Sequence, residues 1–247
     1  MTADRQWYKH EPSDLKSVSA DNIYFLLCDT EGRMWVACED SHLDLAVRHQ
    51  DGTYSFRHFF SDDFSARVLH QDRQGMMWVG TKNGLYCFRP EELLCDTAAY
   101  QCPLTGADLG YSDVSCIYED SRGTLWVGTV GNGVYYKEVG GRGFCRNASL
   151  SLISNDVQAI LEDTKGAMWF ATKNGLTSYN PDTKKVRQHY DEGNLMRNYY
   201  ADNCACLLSD GRLAFGTNSG VLVYDPGTAV WHITEKVPAR TEIRLRD

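Results

Sequence analysis

The stretch Asp120-Ser-Arg-Gly-Thr-Leu-Trp-Val-Gly-Thr129 decides the fold of this chain, because it recurs along the sequence. Further copies begin at Asp29, Asp72 and Asp163, and a fifth copy, Leu208–Thr217, has lost both the Trp and the first Asp. The copies share Gly32, Gly75, Gly123, Gly166 and Gly211, which are separated by steps of 43, 48, 43 and 45 residues. A repeat of this period is typical of propellers and solenoids.

Each repeat predicts four short strands. In the third copy the first strand is Val114–Glu119, the second Leu125–Thr129 and the third Val134–Lys137, with a turn at Asp120–Gly123. The fourth strand is clearest at Tyr54–Phe59, Lys185–Tyr190 and Val230–Thr234. Four strands in about 45 residues, with a glycine turn between them, are typical of a propeller blade. The predicted fold class is therefore all-β: a β-propeller of four-stranded antiparallel blades, with about five repeats present as part of a larger propeller.

The second strand is apolar on both faces. Leu125 and Val127 alternate with Trp126 and Gly128 along it, and side chains alternate between the two faces of a strand. Both faces must therefore be covered, and we expect each Trp to pack on the neighbouring blade while the small residue two positions later leaves room. The repeated residues are accordingly predicted to be structural, the acids as turn caps rather than metal ligands: Asp72, Trp78, Asp120, Trp126, Asp163 and Trp169.

The segments outside the repeats differ from them in their residue patterns. Residues 1–20, with the alternation Trp7–His10, predict the last strand of a preceding blade and a connector. Residues 21–236 hold the five repeats, and residues 237–247 end the chain with an alternation that predicts a further strand. Pro90–Gly110 is the longest insertion and predicts an exposed loop.

Composition excludes several classes of protein. The formal charge of −8 and the pI near 5.4 argue against nucleic-acid binding, which needs a basic face. The first residues lack the apolar core of a signal peptide, so the protein is either cytoplasmic or a piece of a longer secreted chain. Nine cysteines leave at least one thiol unpaired, and a bridge between Cys95 and Cys102 stays open.

Catalytic motifs are missing from the sequence. It contains no Gly-x-Ser-x-Gly, no glycine-rich phosphate loop and no His-Glu-x-x-His, and its histidines are scattered. We therefore predict no catalytic residue, no metal site and no cofactor for this chain.

A binding surface is expected on the loops, because loops vary while a scaffold repeats. The turns between second and third strands should emerge on the same face as the loops that lead into first strands. Amides, cations and aromatic rings together suit a carbohydrate, including an acidic one. Alternatively, each Asn simply serves a turn. The candidate ligand-binding residues are Lys82, Asn83, Asn132, Lys173, Asn174, Asn218, Arg67, Arg197, Tyr199 and Tyr200.

The repeat resembles that of the two-component regulator propeller family. The best copy runs Asp156-Val-Gln-Ala-Ile-Leu-Glu-Asp-Thr-Lys-Gly-Ala-Met-Trp-Phe-Ala-Thr-Lys-Asn-Gly-Leu176, and the resemblance covers nearly the whole chain. It implies the periplasmic sensor region of a hybrid two-component system of Bacteroides-type bacteria, which reports breakdown products of polysaccharides. It also implies that Leu208–Thr217 belongs to a final blade and that residues 237–247 lead into a β-sandwich. The family usually has more than five blades, and no kinase segment is present, so we interpret the chain as a fragment.

Three functional hypotheses follow. In the first, the chain is a non-enzymatic sensor whose partners are an oligosaccharide and a dimer mate, with no nucleic-acid contact and with the membrane reached only through the parent chain. In the second, it is a protein-interaction scaffold with a large apolar patch. In the third, it is a propeller lyase with His, Glu or Arg converging at the channel mouth.

Overall fold

The computed structural model describes residues 6–60, 64–95, 109–147, 150–189, 199–218, 220–228 and 230–233. These form five consecutive antiparallel sheets, here called blades 1 to 5, in each of which strands adjacent in sequence are paired. Four blades have four strands, and blade 2 has three within the described residues. The predicted all-β propeller architecture is confirmed.

The strands of the five blades are as follows. Blade 1 has β1 (Ile23–Cys28), β2 (Met34–Cys38), β3 (Leu43–Arg48) and β4 (Tyr54–Phe59), and blade 2 has β5 (Ala66–Gln71), β6 (Met77–Thr81) and β7 (Gly84–Phe88). The helix α1 (Pro90–Cys95) precedes blade 3, which has β8 (Val114–Glu119), β9 (Leu125–Thr129), β10 (Gly133–Lys137) and β11 (Cys145–Arg146). Blade 4 has β12 (Val157–Glu162), β13 (Met168–Thr172), β14 (Gly175–Asn180) and β15 (Lys185–His189), and blade 5 has β16 (Tyr200–Leu207), β17 (Leu213–Thr217), β18 (Gly220–Asp225) and β19 (Val230–Ile233). The first and second strands predicted for the third copy match β8 and β9 at both ends.

The segment before blade 1 corrects one expectation. Residues 6–22 contain no strand, although the alternation at Trp7–His10 predicts one. Side chains satisfy part of this backbone locally, since Asp21 accepts a hydrogen bond from the His10 amide at 2.9 Å and Ser17 one from the Glu11 amide at 3.0 Å. Of these residues Tyr8 packs on blade 1, with its ring 5.7 Å from the ring of Phe56 on β4, whereas Trp7 is 81 % exposed.

The long insertion is also partly different from its prediction. Pro90–Cys95 forms α1 rather than an exposed loop, with Pro90 at the helix start, where its missing N–H costs nothing. Leu93 is only 2 % exposed and packs into the core between blades 1 and 2, and Glu91 accepts a hydrogen bond from Arg33 at 2.8 Å. Residues 96–108, including Cys102, and residues 237–247 lie outside the described residues.

The repeated Asp caps its turn as predicted and also holds the Trp. Asp120 Oδ1 accepts hydrogen bonds from the backbone amides of Arg122 at 3.0 Å and Thr124 at 2.8 Å, and Gly123 takes a φ of 81°. Its second oxygen, Oδ2, accepts the indole N–H of Trp126 at 2.9 Å. The same bond occurs in the other copies, at 2.9 Å for Asp29–Trp35, 2.7 Å for Asp72–Trp78 and 3.0 Å for Asp163–Trp169. The fifth copy has neither member of this pair, since Leu208 and Ala214 stand at the two positions.

Each Trp packs on the following blade, which confirms that part of the prediction. Ring centroids are 5.7 Å apart for Trp35 and Phe88, for Trp78 and Phe144, and for Trp126 and Phe170, and 4.7 Å apart for Trp169 and Tyr224. The small residue two positions after the Trp makes room for a different neighbour from the Trp contact that was predicted. A Cβ on Gly128 would lie 2.8 Å from Val157 Cγ1, so the glycine makes room for the first strand of the next blade.

A second repeated contact joins neighbouring blades, and we call it the blade latch. At the first three junctions, the backbone amide that follows the turn Asp donates to the side chain that precedes the Asp of the next blade. The three latches are Thr30 N to Gln71 Oε1 at 2.7 Å, Arg73 N to Glu119 Oε2 at 3.0 Å and Ser121 N to Glu162 Oε2 at 2.6 Å. In blade 5 the equivalent acceptor position is occupied by Leu207.

Candidate functional site

Two sets of loops emerge together at one end of the blades, as predicted, and we call this end the loop face. The turns from second to third strands are hydrogen-bonded to the residues that lead into first strands. Val130 N donates to Asp113 O, Lys173 N to Asp156 O and Asn218 N to Tyr199 O, each at 2.9 Å. The candidate ligand-binding residues that the structure describes therefore lie on or next to one face of the molecule.

An irregularity in each first strand sets the side chains of this face. In blades 1 to 4 the register with the second strand shifts by one residue, at Tyr24, Arg67, Ser115 and Gln158. A bulge of this kind redirects a side chain out of the regular alternation. In blade 5 the interruption is longer, because Tyr200 pairs with Thr217 and the next partner of β17 is Ala205 with Phe215. Within this interruption, Asn203 donates to the Ser115 carbonyl of blade 3 at 2.8 Å.

The redirected side chains of blades 1 and 2 join a charged cluster, here called the loop-face network. Arg67 Nη1 lies 2.6 Å from Asp113 Oδ1, and the guanidinium lies 5.4 Å from the centre of the Tyr24 ring. The Tyr24 hydroxyl donates to Glu39. Lys82 Nζ lies 2.6 Å from Asp40 Oδ1. The network consists of Tyr24, Glu39, Asp40, Arg67, Lys82 and Asp113.

The charged and polar groups of the loop-face network are largely paired with one another. The hydrogen bond to Glu39, followed by burial, raises the pKa of Tyr24, so this hydroxyl stays a donor. The hydrogen bond from Lys82 lowers the pKa of Asp40. Desolvation raises the pKa of Asp202 in the blade 5 interruption, opposed by the charge of Arg67 and reinforced by that of Asp113. Any acidic ligand must therefore compete with carboxylates already bound to both cations.

The other predicted residues are placed around the same face. Asn132 donates to Ser112 Oγ at 2.9 Å, Lys173 Nζ lies 3.9 Å from Asp156 and Asn218 accepts from the Tyr199 amide at 3.2 Å, all within single blades. Asn83 and Asn174 are exposed. Tyr200 is buried in the core between blades 4 and 5, so it cannot contact a ligand as placed. Arg197 lies outside the described residues.

The sequence did not predict a cleft of about 480 Å³ at the opposite end of the blades, which we call the blade 3–4 cleft. It lies between two strand turns of blade 3 and the turn between the third and fourth strands of blade 4. Its lining comprises Asp120, Arg122, Thr124, Trp126, Tyr136, Glu138, Asn147, Tyr179, Pro181, Asp182 and Lys184. Loop variation alone could not reveal it, because its wall includes Asp120 and Trp126, which the sequence assigns to the scaffold.

Within the described ranges, no three His, Cys, Asp or Glu side chains are grouped so that they could hold a metal ion. No helix among the same residues is both long and apolar enough to cross a membrane.

Comparison with known proteins agrees with this architecture. Residues 108–131 and 151–174 match the family model of the two component regulator propeller. The fold is similar to the extracellular domain of the one component system BT4673 from B. thetaiotaomicron, with a TM-score of 0.73 and 17 % identity over 94 % of this chain and 32 % of that one. It is also similar to the extracellular domain of the hybrid two component system BT3049 from the same organism, with a TM-score of 0.71 and 18 % identity over 91 % of this chain and 30 % of that one.

A third similar structure is an enzyme. Virginiamycin B lyase from Staphylococcus aureus has a TM-score of 0.64 and 12 % identity over 89 % of this chain and 71 % of that one. At these identities the likeness concerns the fold. The chain spans about a third of the length of the two B. thetaiotaomicron domains, from the 32 % and 30 % that it covers. Among curated proteins, no sequence matches the chain.

Proposed function

We propose that this chain, which carries repeats of the two-component regulator propeller at residues 108–131 and 151–174, is the extracytoplasmic sensing module of a hybrid two-component sensor histidine kinase and response regulator. The family match is the observation that carries the proposal. The similarity in fold to the extracellular domain of a hybrid two component system supports it. Phosphorelay chemistry belongs in this proposal to the parent protein, with this chain in the periplasm as its sensor, and no catalytic role is assigned to the chain.

The proposed signal is an oligosaccharide released from a polysaccharide. The chain offers the groups that bind sugars, namely aromatic rings with polar and charged side chains around them. On the loop face, Tyr24 is 39 % exposed and Tyr199 is 57 % exposed, close to the cations and amides of the predicted site. Internal pairing of Arg67 and Lys82 disfavours a strongly acidic ligand there.

Signalling requires that the ligand bind two states of the module with different affinity. In a propeller, such states can differ in how neighbouring blades pack, and contacts between blades are numerous in this chain. A dimer mate within the parent sensor is the proposed recipient of the change. The ligand would then alter the geometry with which two sensor modules meet.

Isothermal titration calorimetry tests the ligand. The chain is titrated with a pool of neutral oligosaccharides of two to six sugar units and, separately, with a pool containing uronic acids. We expect saturable heat with the neutral pool and weaker heat with the acidic one. Monosaccharides at equal mass serve as the control. A flat titration with both pools contradicts carbohydrate sensing, and heat that continues after saturation would instead indicate turnover by a lyase.

A further inference from the structure

We propose that the blade 3–4 cleft is the binding site for a neutral oligosaccharide, with Tyr136 as the surface on which a sugar ring stacks. This inference rests on the proposed function and deepens it, because it places a neutral ligand in the cleft rather than on the loop face, where Arg67 and Lys82 are already paired with carboxylates. The cleft volume of about 480 Å³ lies within the range of roughly 300–1,000 Å³ typical of small-molecule sites.

Aromatic side chains form a fixed wall of the cleft. The Trp126 and Tyr136 ring centroids are 5.4 Å apart with their planes inclined by 31°, and Tyr179 packs edge-on to Trp126. Trp126 is 3 % exposed and its indole N–H is bound to Asp120, so this ring cannot reorient easily. Tyr136 is half-buried and therefore presents part of its ring to the cleft. An aromatic ring held in this way is preorganised for stacking against an apolar sugar face.

The rim of the cleft is polar, and its charges balance. Arg122 and Lys184 provide two positive charges, and Glu138 and Asp182 provide two negative charges. The remaining carboxylate, Asp120, is 1 % exposed and occupied by the turn and the indole. A balanced rim of donors and acceptors suits the hydroxyl groups of an uncharged sugar better than it suits an anion.

A ligand in the cleft would contact both blades at once. Arg122 of blade 3 already reaches across, with Nη2 3.0 Å from Asp182 Oδ2 and Nη1 3.3 Å from the Gly166 carbonyl of blade 4. The hydrogen bonds between these groups and sugar hydroxyls would change with any shift of one blade against the other. Binding at this cleft is therefore coupled to blade packing, as a sensor requires.

A second cleft of about 470 Å³ continues the first. It shares Tyr136 and Glu138 and is otherwise lined by Gly141, Arg142, Gly143, Phe144 and Cys145. Tyr136 and Glu138 thus form the ridge between two adjoining clefts. This arrangement favours an oligosaccharide that passes over Tyr136 and occupies both clefts, over a single sugar unit. The charge balance described above holds for the first cleft, and Arg142 adds one positive charge in the second.

The test compares two neighbouring tyrosines by calorimetry with the neutral oligosaccharide pool. Tyr136→Ala should weaken binding at least tenfold. Tyr135→Ala is the matched control, because Tyr135 lies on the other face of β10 and packs into the core between blades 2 and 3. Glu138→Gln, which alters only an exposed rim group, should weaken binding several-fold without affecting the fold. Thermal unfolding of each variant verifies that it is folded.

Each outcome discriminates between the proposals. Wild-type binding that survives Tyr136→Ala and Glu138→Gln but is lost in Lys82→Met overturns the cleft and supports the loop face, with the sensing function intact. Wild-type binding unaffected by all three variants also overturns the cleft. Heat from neither neutral nor acidic pools overturns carbohydrate sensing itself. Hydrogen exchange should show ligand protection at residues 134–146 and 179–186, and protection confined to other segments contradicts the inference.

Discussion

The two carboxylate oxygens of Asp120 accept hydrogen bonds from different parts of the blade. Oδ1 holds the turn by accepting two backbone amides, and Oδ2 fixes the orientation of the Trp126 indole. Asp120 is 1 % exposed, so an oxygen left without its donor could not be satisfied readily by water. Leaving such a buried group unpaired costs roughly 1–3 kcal/mol.

A double-mutant cycle tests this pairing. Trp126→Ala should lower the free energy of unfolding by about 3–5 kcal/mol, because it leaves a large cavity between blades 3 and 4. Trp126→Phe keeps most of the packing but removes the N–H, and should cost about 1–3 kcal/mol. In Asp120→Asn the side-chain NH₂ would face the indole N–H, a conflict that Trp126→Phe removes. Chemical denaturation of both single variants and the double variant should therefore show a coupling between the sites.

Two results would contradict this account of Asp120 and Trp126. A loss below about 1 kcal/mol in Trp126→Ala would contradict the packing of this ring between the blades. Strictly additive effects of Asp120→Asn and Trp126→Phe would contradict the hydrogen bond. The sequence predicts the Asp as a cap and the Trp as a packing residue, but not their bond. That bond depends on how the turn folds back, and a linear spacing of six residues does not specify it.

The second strand is constrained by its two neighbours. Gly128 pairs with Cys116 of β8 within its blade and approaches Val157 of β12 in the next. A Cβ at Gly128 would lie 2.4 Å from Cys116 Sγ and 2.8 Å from Val157 Cγ1. Blade 4 holds an alanine at the equivalent site, and there Ala171 pairs with another small residue, Ala159. Blade 4 therefore accommodates an alanine opposite alanine where blade 3 has a glycine opposite the larger cysteine, whereas blade 1 places Ala37 opposite Phe25.

Gly128→Ala should destabilise the protein by about 1–3 kcal/mol through overpacking. Adding Cys116→Ala reproduces the alanine pair of blade 4 and should restore part of the loss, with the remainder due to Val157. Cys116→Ala alone is the control and measures the cost of removing the sulfur. Equilibrium unfolding of the three variants provides the measurement. Failure of the second substitution to recover any stability would show that the pairing does not set the residue size.

At the level of elements, periodicity predicted most of the strands and failed outside the repeats. The alternation at Trp7–His10 has the period of a strand, but local side chains rather than a partner strand bind part of that backbone. The Pro90–Gly110 insertion interrupts the repeat, which predicts that its start is exposed. It instead forms α1, which buries Leu93 between two blades. Neither the absence of a strand at Trp7–His10 nor the helix α1 follows a repeating residue pattern. Periodicity therefore could not predict either of them.

The arrangement of the whole molecule determines what the candidate sites can bind. Arg67 and Lys82 look like available cations in the sequence, but their partners Asp113 and Asp40 are 46 and 42 residues away. Only the packing of successive blades brings these charges together. The blade 3–4 cleft likewise exists only between two blades. The sequence could therefore predict the loop face from topology, but neither the pairing of its cations nor the cleft.

The junctions between successive blades also differ in their hydrogen bonds. Blades 1 to 4 are joined by three latches in which Gln71, Glu119 or Glu162 accepts a backbone amide of the preceding blade. At the next position Leu207 is 45 % exposed and has no acceptor group. The corresponding donor is the amide of Thr164, which follows the turn residue Asp163. We therefore expect blade 5 to open more readily than blade 4, with faster hydrogen exchange in β17 and β18 than in β13 and β14.

Leu207→Glu tests whether the latch stabilises this junction. The carboxylate should accept the Thr164 amide as Glu162 accepts that of Ser121, and one hydrogen bond to a charged group contributes about 1.5–3 kcal/mol at most. Leu207→Gln should act in the same direction, since Gln71 makes the equivalent contact in blade 2. Leu207→Ala removes the exposed side chain without supplying an acceptor and is the matched control. Both polar variants should raise the free energy of unfolding above that of Leu207→Ala and slow exchange in β17. Equal stability of all three would mean that the latch follows from blade packing and does not contribute to it.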